Sequence, residues 1–125
     1  MNSKKILIVD DVDFNVEFET KLIRSLMVEY KMDVEIDTAG SVSDAVKKIE
    51  ENEPYDAMII DMNLPDGTGV EIAKKARERN AKTRLAALTI YPNEYESERS
   101  SFDLFLKKPI MLDSFKSSFI RLLQI

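Results

Sequence analysis

The sequence has no cysteine and no histidine. Without cysteine there is neither a disulfide nor a thiolate metal site, and redox chemistry says nothing of the compartment. Without histidine, zinc sites of the usual kind, Ser-His triads and imidazole acid–base catalysis fall away together. A surplus of positive charge is missing too: 18 Lys and Arg against 23 Asp and Glu leave a formal net charge of −5. That balance disfavours direct nucleic-acid binding, which leans on clustered basic residues. No apolar run approaches the ~20 residues of a membrane span, and Ile6–Val9, behind Met1–Lys5, is too short for a signal-peptide core. A cytoplasmic protein with no membrane contact is the expectation. Linkers, internal repeats and low-complexity tracts are also lacking. What is present is 125 residues, 44% hydrophobic and 33% charged, the composition of one globular domain over residues 1–125. Its chemistry must run on carboxylates, lysines, hydroxyls and a bound cation.

Ile6-Leu7-Ile8-Val9, Ala57-Met58-Ile59-Ile60 and Leu85-Ala86-Ala87-Leu88 are short continuous apolar runs, the pattern of strands buried on both faces. Val34-Glu35-Ile36-Asp37 alternates, as a half-exposed edge strand does, and Leu104-Phe105-Leu106 reads as a short fifth strand. Between them, Phe14, Phe18, Leu22 and Leu26, with Ile23, make one apolar helical stripe, and Asp13 is placed to cap that helix. Ser41 and Asp44 form a capping-box start for the next helix. The turn Leu64-Pro65-Asp66-Gly67 leads to a second box at Thr68 and Glu71. Leu112, Phe115, Phe119, Leu122 and Leu123 line the last helix. Strands alternating with helices over short connections require parallel pairing and right-handed crossovers. With the alternating second strand and the short, lysine-ended fifth at the edges, the predicted fold is α/β. It is a single doubly wound five-stranded parallel sheet, order 2-1-3-4-5, with helices on both faces.

In such a sheet, ligands bind beyond the carboxyl ends of the strands where the strand order reverses, here between the first and third. The residues that end the apolar runs are Asp10-Asp11, Asp61, Thr89 and Lys107-Lys108. Each alone is ordinary: aspartate after a strand is commonly a turn or cap residue, and a terminal Thr or Lys is commonly structural or solvated. Together they differ. Three carboxylates on adjacent strand ends repel unless something positive sits among them. Oxygen-only ligands select a hard divalent cation, Mg²⁺ or Mn²⁺.

Ile6-Leu7-Ile8-Val9-Asp10-Asp11, Asp61-Met62-Asn63-Leu64-Pro65-Asp66-Gly67-Thr68-Gly69, Leu88-Thr89 and Phe105-Leu106-Lys107-Lys108-Pro109, in this order, resemble the receiver domain of two-component response regulators. The resemblance extends over essentially the whole length and implies a flavodoxin/CheY-like fold. It also implies the following roles. Asp61 is the phospho-acceptor; Asp11 ligates Mg²⁺ directly, Asp10 through a bound water, and Asn63 through its backbone carbonyl. Lys108, which directly precedes Pro109, is the site lysine, and the Lys108-Pro109 peptide is cis. Thr89 bonds a phosphoryl oxygen after transfer, and Phe105 is the aromatic that fills the space Thr89 vacates. The donor is a phosphohistidine on a histidine kinase or histidine phosphotransfer protein. The chain would not be a turnover enzyme, and its output, to a downstream protein target or effector domain, would pass through the face of strand 4, helix 4, strand 5 and helix 5.

Two departures shape the expectation. Where the family has a small residue after the Thr, this chain has Ile90, followed by Tyr91 at a position that influences water's approach. Small phosphodonors should react sluggishly and the phosphoform should be long-lived. The stretch from Pro92 to Phe102 is short and polar, so the fourth helix should be short or irregular. Three other readings compete. A flavin module would need a phosphate loop where Asp10-Asp11-Val12-Asp13 stands. An aspartyl phosphatase would carry an acid two residues after its nucleophile, where this chain has Asn63. A receiver-like interaction module with vestigial phosphorylation draws support from Ile90 and the shortened helix-4 region.

Overall fold

A computed structural model describes residues 3–90 and 100–125. In chain order the elements are β1 (Ser3–Val9), α1 (Asp13–Glu29), β2 (Asp33–Ala39), α2 (Val42–Glu51), β3 (Ala57–Asp61), the two-residue strands β4 (Asn63–Leu64) and β5 (Gly67–Thr68), α3 (Gly69–Arg79), β6 (Arg84–Thr89), β7 (Leu104–Lys107) and α4 (Leu112–Leu123). The five long strands pair in the order β2-β1-β3-β6-β7, all parallel. This is the expected 2-1-3-4-5 sheet, with β6 and β7 as its fourth and fifth strands. β4 and β5 form a small antiparallel ladder outside it.

Alternation along each strand divides the core in two. Leu7, Val9, Met58, Ile60, Leu85 and Ala87 face α2 and α3, meeting Ala45, Ile49, Ile72 and Ala76. Ile6, Ile8, Ala57, Ile59, Ala86 and Leu88 face α1 and α4, meeting Ile23, Met27, Phe115 and Phe119. Continuous apolar runs are needed because both faces of β1, β3 and β6 are covered.

Helix starts follow the sequence at one place and depart from it at two. Ser41 accepts a hydrogen bond from the Asp44 N–H at 3.1 Å and caps α2. Thr68 occupies the N-cap of α3 without a side-chain cap bond. Asp13 is the first residue of α1 rather than its cap, because Asp10 Oδ1 holds the Val12 N–H at 2.9 Å and sets the helix entry from the strand side. Asp66, in the turn between β4 and β5, accepts from the Val42 and Ser43 N–H groups at 2.7 and 3.0 Å. Those donors, Ser43 foremost, hold its carboxyl below the ordinary range and tie the turn after β3 to the start of α2.

The stripe predicted for α1 is corrected. Its buried residues are Glu19, Ile23, Leu26 and Met27, while Phe14 is 73% exposed and stacks on Phe18 with ring centroids 6.3 Å apart. A strict four-residue repeat advances about 40° per step round a 3.6-residue helix. Phe14 therefore lies on the flank, and the repeat turns into the core only at Leu26. Of the stretch expected to hold the fourth helix, Pro92 to Phe102, residues 92–99 lie outside the described residues; Ser100 and Ser101 form a short 3-10 turn and Phe102 is buried. Among the described residues no helix is long and apolar enough to cross a membrane.

Candidate functional site

Parallel pairing places every strand's carboxyl end on one rim. The register pairs Val9 with Ile60, Asp61 with Leu88 and Thr89 with Lys107, so Asp10, Asp61, Thr89 and Lys108 arrive side by side. Asp10, Asp61 and Thr89 are buried there; Asp11 and Lys107 are exposed. One carboxylate oxygen from each of Asp10, Asp11 and Asp61 lies within 4.8 Å of the others. Of the two candidate lysines it is Lys108 that turns in. Its Nζ is 3.1 Å from Asp61 Oδ2 and 3.8 Å from Asp10 Oδ2. The Lys108-Pro109 peptide is cis, and the Lys108 N–H donates to the Thr89 carbonyl at 2.9 Å.

Backbone and side-chain donors hold both buried carboxylates. Asp61 Oδ1 accepts from the Asn63 N–H at 3.0 Å, which brings the Asn63 backbone against the acidic cluster. Asp10 Oδ2 accepts from Asn15 Nδ2 at 3.3 Å. Burial pushes the Asp10 carboxyl above its ordinary value; the Val12 N–H pulls it back, Asp61 adds to the rise, and Lys108 and Asn15 oppose it. Gly69 lets α3 start hard against the end of β3: a Cβ there would meet Ile60 Cγ2 at 2.6 Å, Met62 Sδ at 2.8 Å and the Asp61 carbonyl oxygen at 3.1 Å.

Three converging carboxylates with one nearby ammonium are an oxygen-only donor set with unspent negative charge. The residues present fit a hard divalent cation. Ile90 is half-exposed and, with Phe14, Phe18, Pro109 and Ile110, lines a groove of about 420 Å³ that also reaches Asn15 and Lys108. Phe105 lies on the α2/α3 side, half-buried and edge-on to Phe102 at 5.5 Å between centroids. Tyr91 lies outside the described residues.

Sequence reasoning missed Asn15 and Glu19. Glu19 is wholly buried, and neither carboxylate oxygen has a hydrogen-bond partner. Burial pushes its carboxyl up to about 8, with Asp10 and Asp61 adding to the rise and Lys108 opposing it. The signal was available: Val16, Ile23, Leu26 and Met27 share a helical face, and Glu19 is the polar residue in that row.

The family model for the response regulator receiver domain matches residues 6–119. Among curated proteins, the hybrid signal transduction histidine kinase L of Dictyostelium discoideum is 29% identical over 85% of this chain, and the response regulator protein PilR of Pseudomonas aeruginosa 32% identical over 90%. The chain spans only 6% and 24% of those proteins, respectively. Among solved structures, the receiver domain of the sensor histidine kinase PA1611 of P. aeruginosa, with a magnesium ion in its active site cleft, superposes with a TM-score of 0.81 at 20% identity, covering 98% of this chain and 99% of that one. The response regulator TrrA of Thermotoga maritima, in complex with Mg²⁺ and BeF, gives 0.74 at 30% identity, covering 95% and 98%.

Proposed function

We propose, from the premise that this chain belongs to the response regulator receiver family of two-component signalling, that it is a phosphorylation-dependent switch whose acceptor is Asp61. The observation that carries this reading is the convergence on Asp61: the Lys108 ammonium at 3.1 Å and two further carboxylates within 4.8 Å. Asp61, its Oδ1 held by the Asn63 N–H, attacks phosphorus in line through its carboxylate without a general base. The new bond is O–P, and the bond that breaks is the P–N bond of a phosphohistidine on a histidine kinase or phosphotransfer protein. Its electron pair stays on the donor's imidazole nitrogen, and the donor ring, already protonated on its other nitrogen, leaves as neutral imidazole. Asp10, Asp11, Asp61 and the Asn63 carbonyl would hold Mg²⁺ or Mn²⁺, which supplies neutralisation of phosphoryl charge when bound. Lys108, 3.1 Å from Asp61 Oδ2, adds a second positive charge beside the acceptor.

Phosphorylation adds about −1.5 to −2 charges at Asp61. The Thr89 hydroxyl and Lys108 respond to the new oxygens, and Phe105, two residues before Lys107 on β7, carries the change towards the face used for output to a downstream target or effector domain. Residues 1–125 act as one receiver domain, cytoplasmic and without turnover chemistry. Ile90 narrows the approach to Asp61, which slows small phosphodonors and, with Tyr91, prolongs the phosphoform. The same position of Ile90 over the groove favours the second reading, an interaction module with vestigial phosphorylation. Intact mass with a phosphodonor kinase and Mg²⁺, repeated on Asp61→Asn, separates the two. A phosphoryl adduct on wild type alone is expected; none on wild type, or an equal adduct on the variant, would refute the switch.

A further inference from the structure

The Lys108 ammonium rests on two of the three carboxylates that a divalent cation would share. It lies 3.1 Å from Asp61 Oδ2 and 3.8 Å from Asp10 Oδ2, and like charges sharing these oxygens repel. Filling the three-aspartate site therefore requires Lys108 to move. Its side chain is only 19% exposed. The groove beside it is walled mostly by apolar side chains, Phe14, Phe18, Ile90, Pro109 and Ile110, with Asn15 the one uncharged polar group, so the outward path offers an ammonium no negative charge.

Glu19 is buried on α1 within electrostatic reach of this cluster. It lies one helical turn beyond Asn15 on the same face of α1, and Asn15 itself touches Asp10. Its carboxyl is completely buried, with both oxygens open. The charged groups that act on it are Asp10, Lys108 and Asp61. A buried acceptor without a donor costs free energy that an arriving donor recovers, and Lys108 is the cation among these neighbours. A hydrophobic side chain would fill this layer between α1 and the sheet at lower cost.

We propose that Glu19 is a positioning residue for Lys108: a second, buried seat onto which the ammonium moves when a divalent cation occupies Asp10, Asp11 and Asp61. The inference rests on the phospho-acceptor reading of the site and adds what keeps Lys108 inside it during cation loading. Seated on Glu19, the lysine leaves the aspartates to the metal yet stays within the site, ready for a phosphoryl oxygen. Without Glu19 it competes with the metal for Asp61.

The test is Mg²⁺ binding by titration calorimetry on wild type, Glu19→Gln, Lys108→Met and the double variant. Glu19→Gln should weaken Mg²⁺ binding about fivefold, a coupling of the size seen between neighbouring residues. The same substitution in the Lys108→Met background should change nothing, because no ammonium needs a seat. The nitrogen resonance of the Lys108 ammonium should shift with Mg²⁺ in wild type and shift differently in Glu19→Gln. Equal weakening in both backgrounds would mean a direct charge effect of Glu19 and would overturn the seat; so would no weakening in either. Wild type that binds no Mg²⁺ would overturn the metal-dependent acceptor reading as well, whereas normal Mg²⁺ binding and phosphorylation without coupling between the two positions sinks this inference alone. Thermal melts of all four proteins confirm that folded material is compared.

Discussion

Glu19→Gln is expected to raise stability at neutral pH and to remove a slope from the stability–pH profile. The carboxyl has an ordinary value of 4.5 in the open chain and about 8 in the folded protein, because burial disfavours its charged form. Between those values the folded state binds one more proton than the unfolded state, so stability falls as pH rises. The stability is intact below 4.5, declines through the interval and levels off above about 8. Each pH unit removes about 1.4 kcal/mol, so between about pH 5 and pH 7.4 the loss attributable to Glu19 comes to about 3 kcal/mol. That is a large part of a typical net stability of about 5–15 kcal/mol. The assay is urea unfolding followed by far-UV circular dichroism at several pH values across the interval, on both proteins in parallel. Asp66, whose carboxyl is lowered, titrates in both proteins and cancels in the difference. The variant's advantage should grow with pH up to about 8 and then stay constant. An advantage independent of pH, or one that shrinks as pH rises, would refute the reasoning.

Other substitutions probe separate parts of the structure. Gly69→Ala drives a methyl group to 2.6 Å from Ile60 Cγ2 and 3.1 Å from the Asp61 carbonyl oxygen. It should cost about 1–3 kcal/mol in urea unfolding and weaken Mg²⁺ binding through the displaced Asp61; an unchanged unfolding midpoint would contradict it. Lys31 ends α1 at φ 55°, where its own N–H bonds the Val28 carbonyl and the Met32 N–H bonds the Met27 carbonyl. Lys31→Gly relieves the left-handed strain and should raise stability by about 1 kcal/mol, checked by the same unfolding experiment. Ile90→Ala should speed phosphorylation by a small donor such as acetyl phosphate more than phosphorylation by a kinase; equal acceleration by both would show that Ile90 does not guard the acceptor.

Much of the architecture and of the site was legible in the residues. Ile6–Val9, Ala57–Ile60 and Leu85–Leu88 could only be central strands, because an unbroken apolar run is stable in a sheet covered on both faces. Once those strands are parallel, the residues that end them must share a rim, so Asp10-Asp11, Asp61, Thr89 and Lys107-Lys108 could be brought together from the sequence, and the family resemblance chose Lys108 of the two lysines. Other features depend on contacts the sequence does not encode locally. Phe14 and Phe18 obeyed a helical repeat yet sit on the flank of α1, since two apolar stripes lie side by side on that helix and only its angle on the sheet chooses between them. Asp66 read as a turn residue and turned out to hold the start of α2 from 24 positions away. Glu19 carried no motif beyond its place in an apolar helical row. Its burial near the acidic cluster follows from the packing of α1 over β1 and β2, and a charge becomes costly only when tertiary contacts remove its water. The sequence by itself determined which strands form and which side chains end them. The tertiary structure alone decided which face of each helix is dry, and hence that a fourth carboxyl lies beneath the three at the rim.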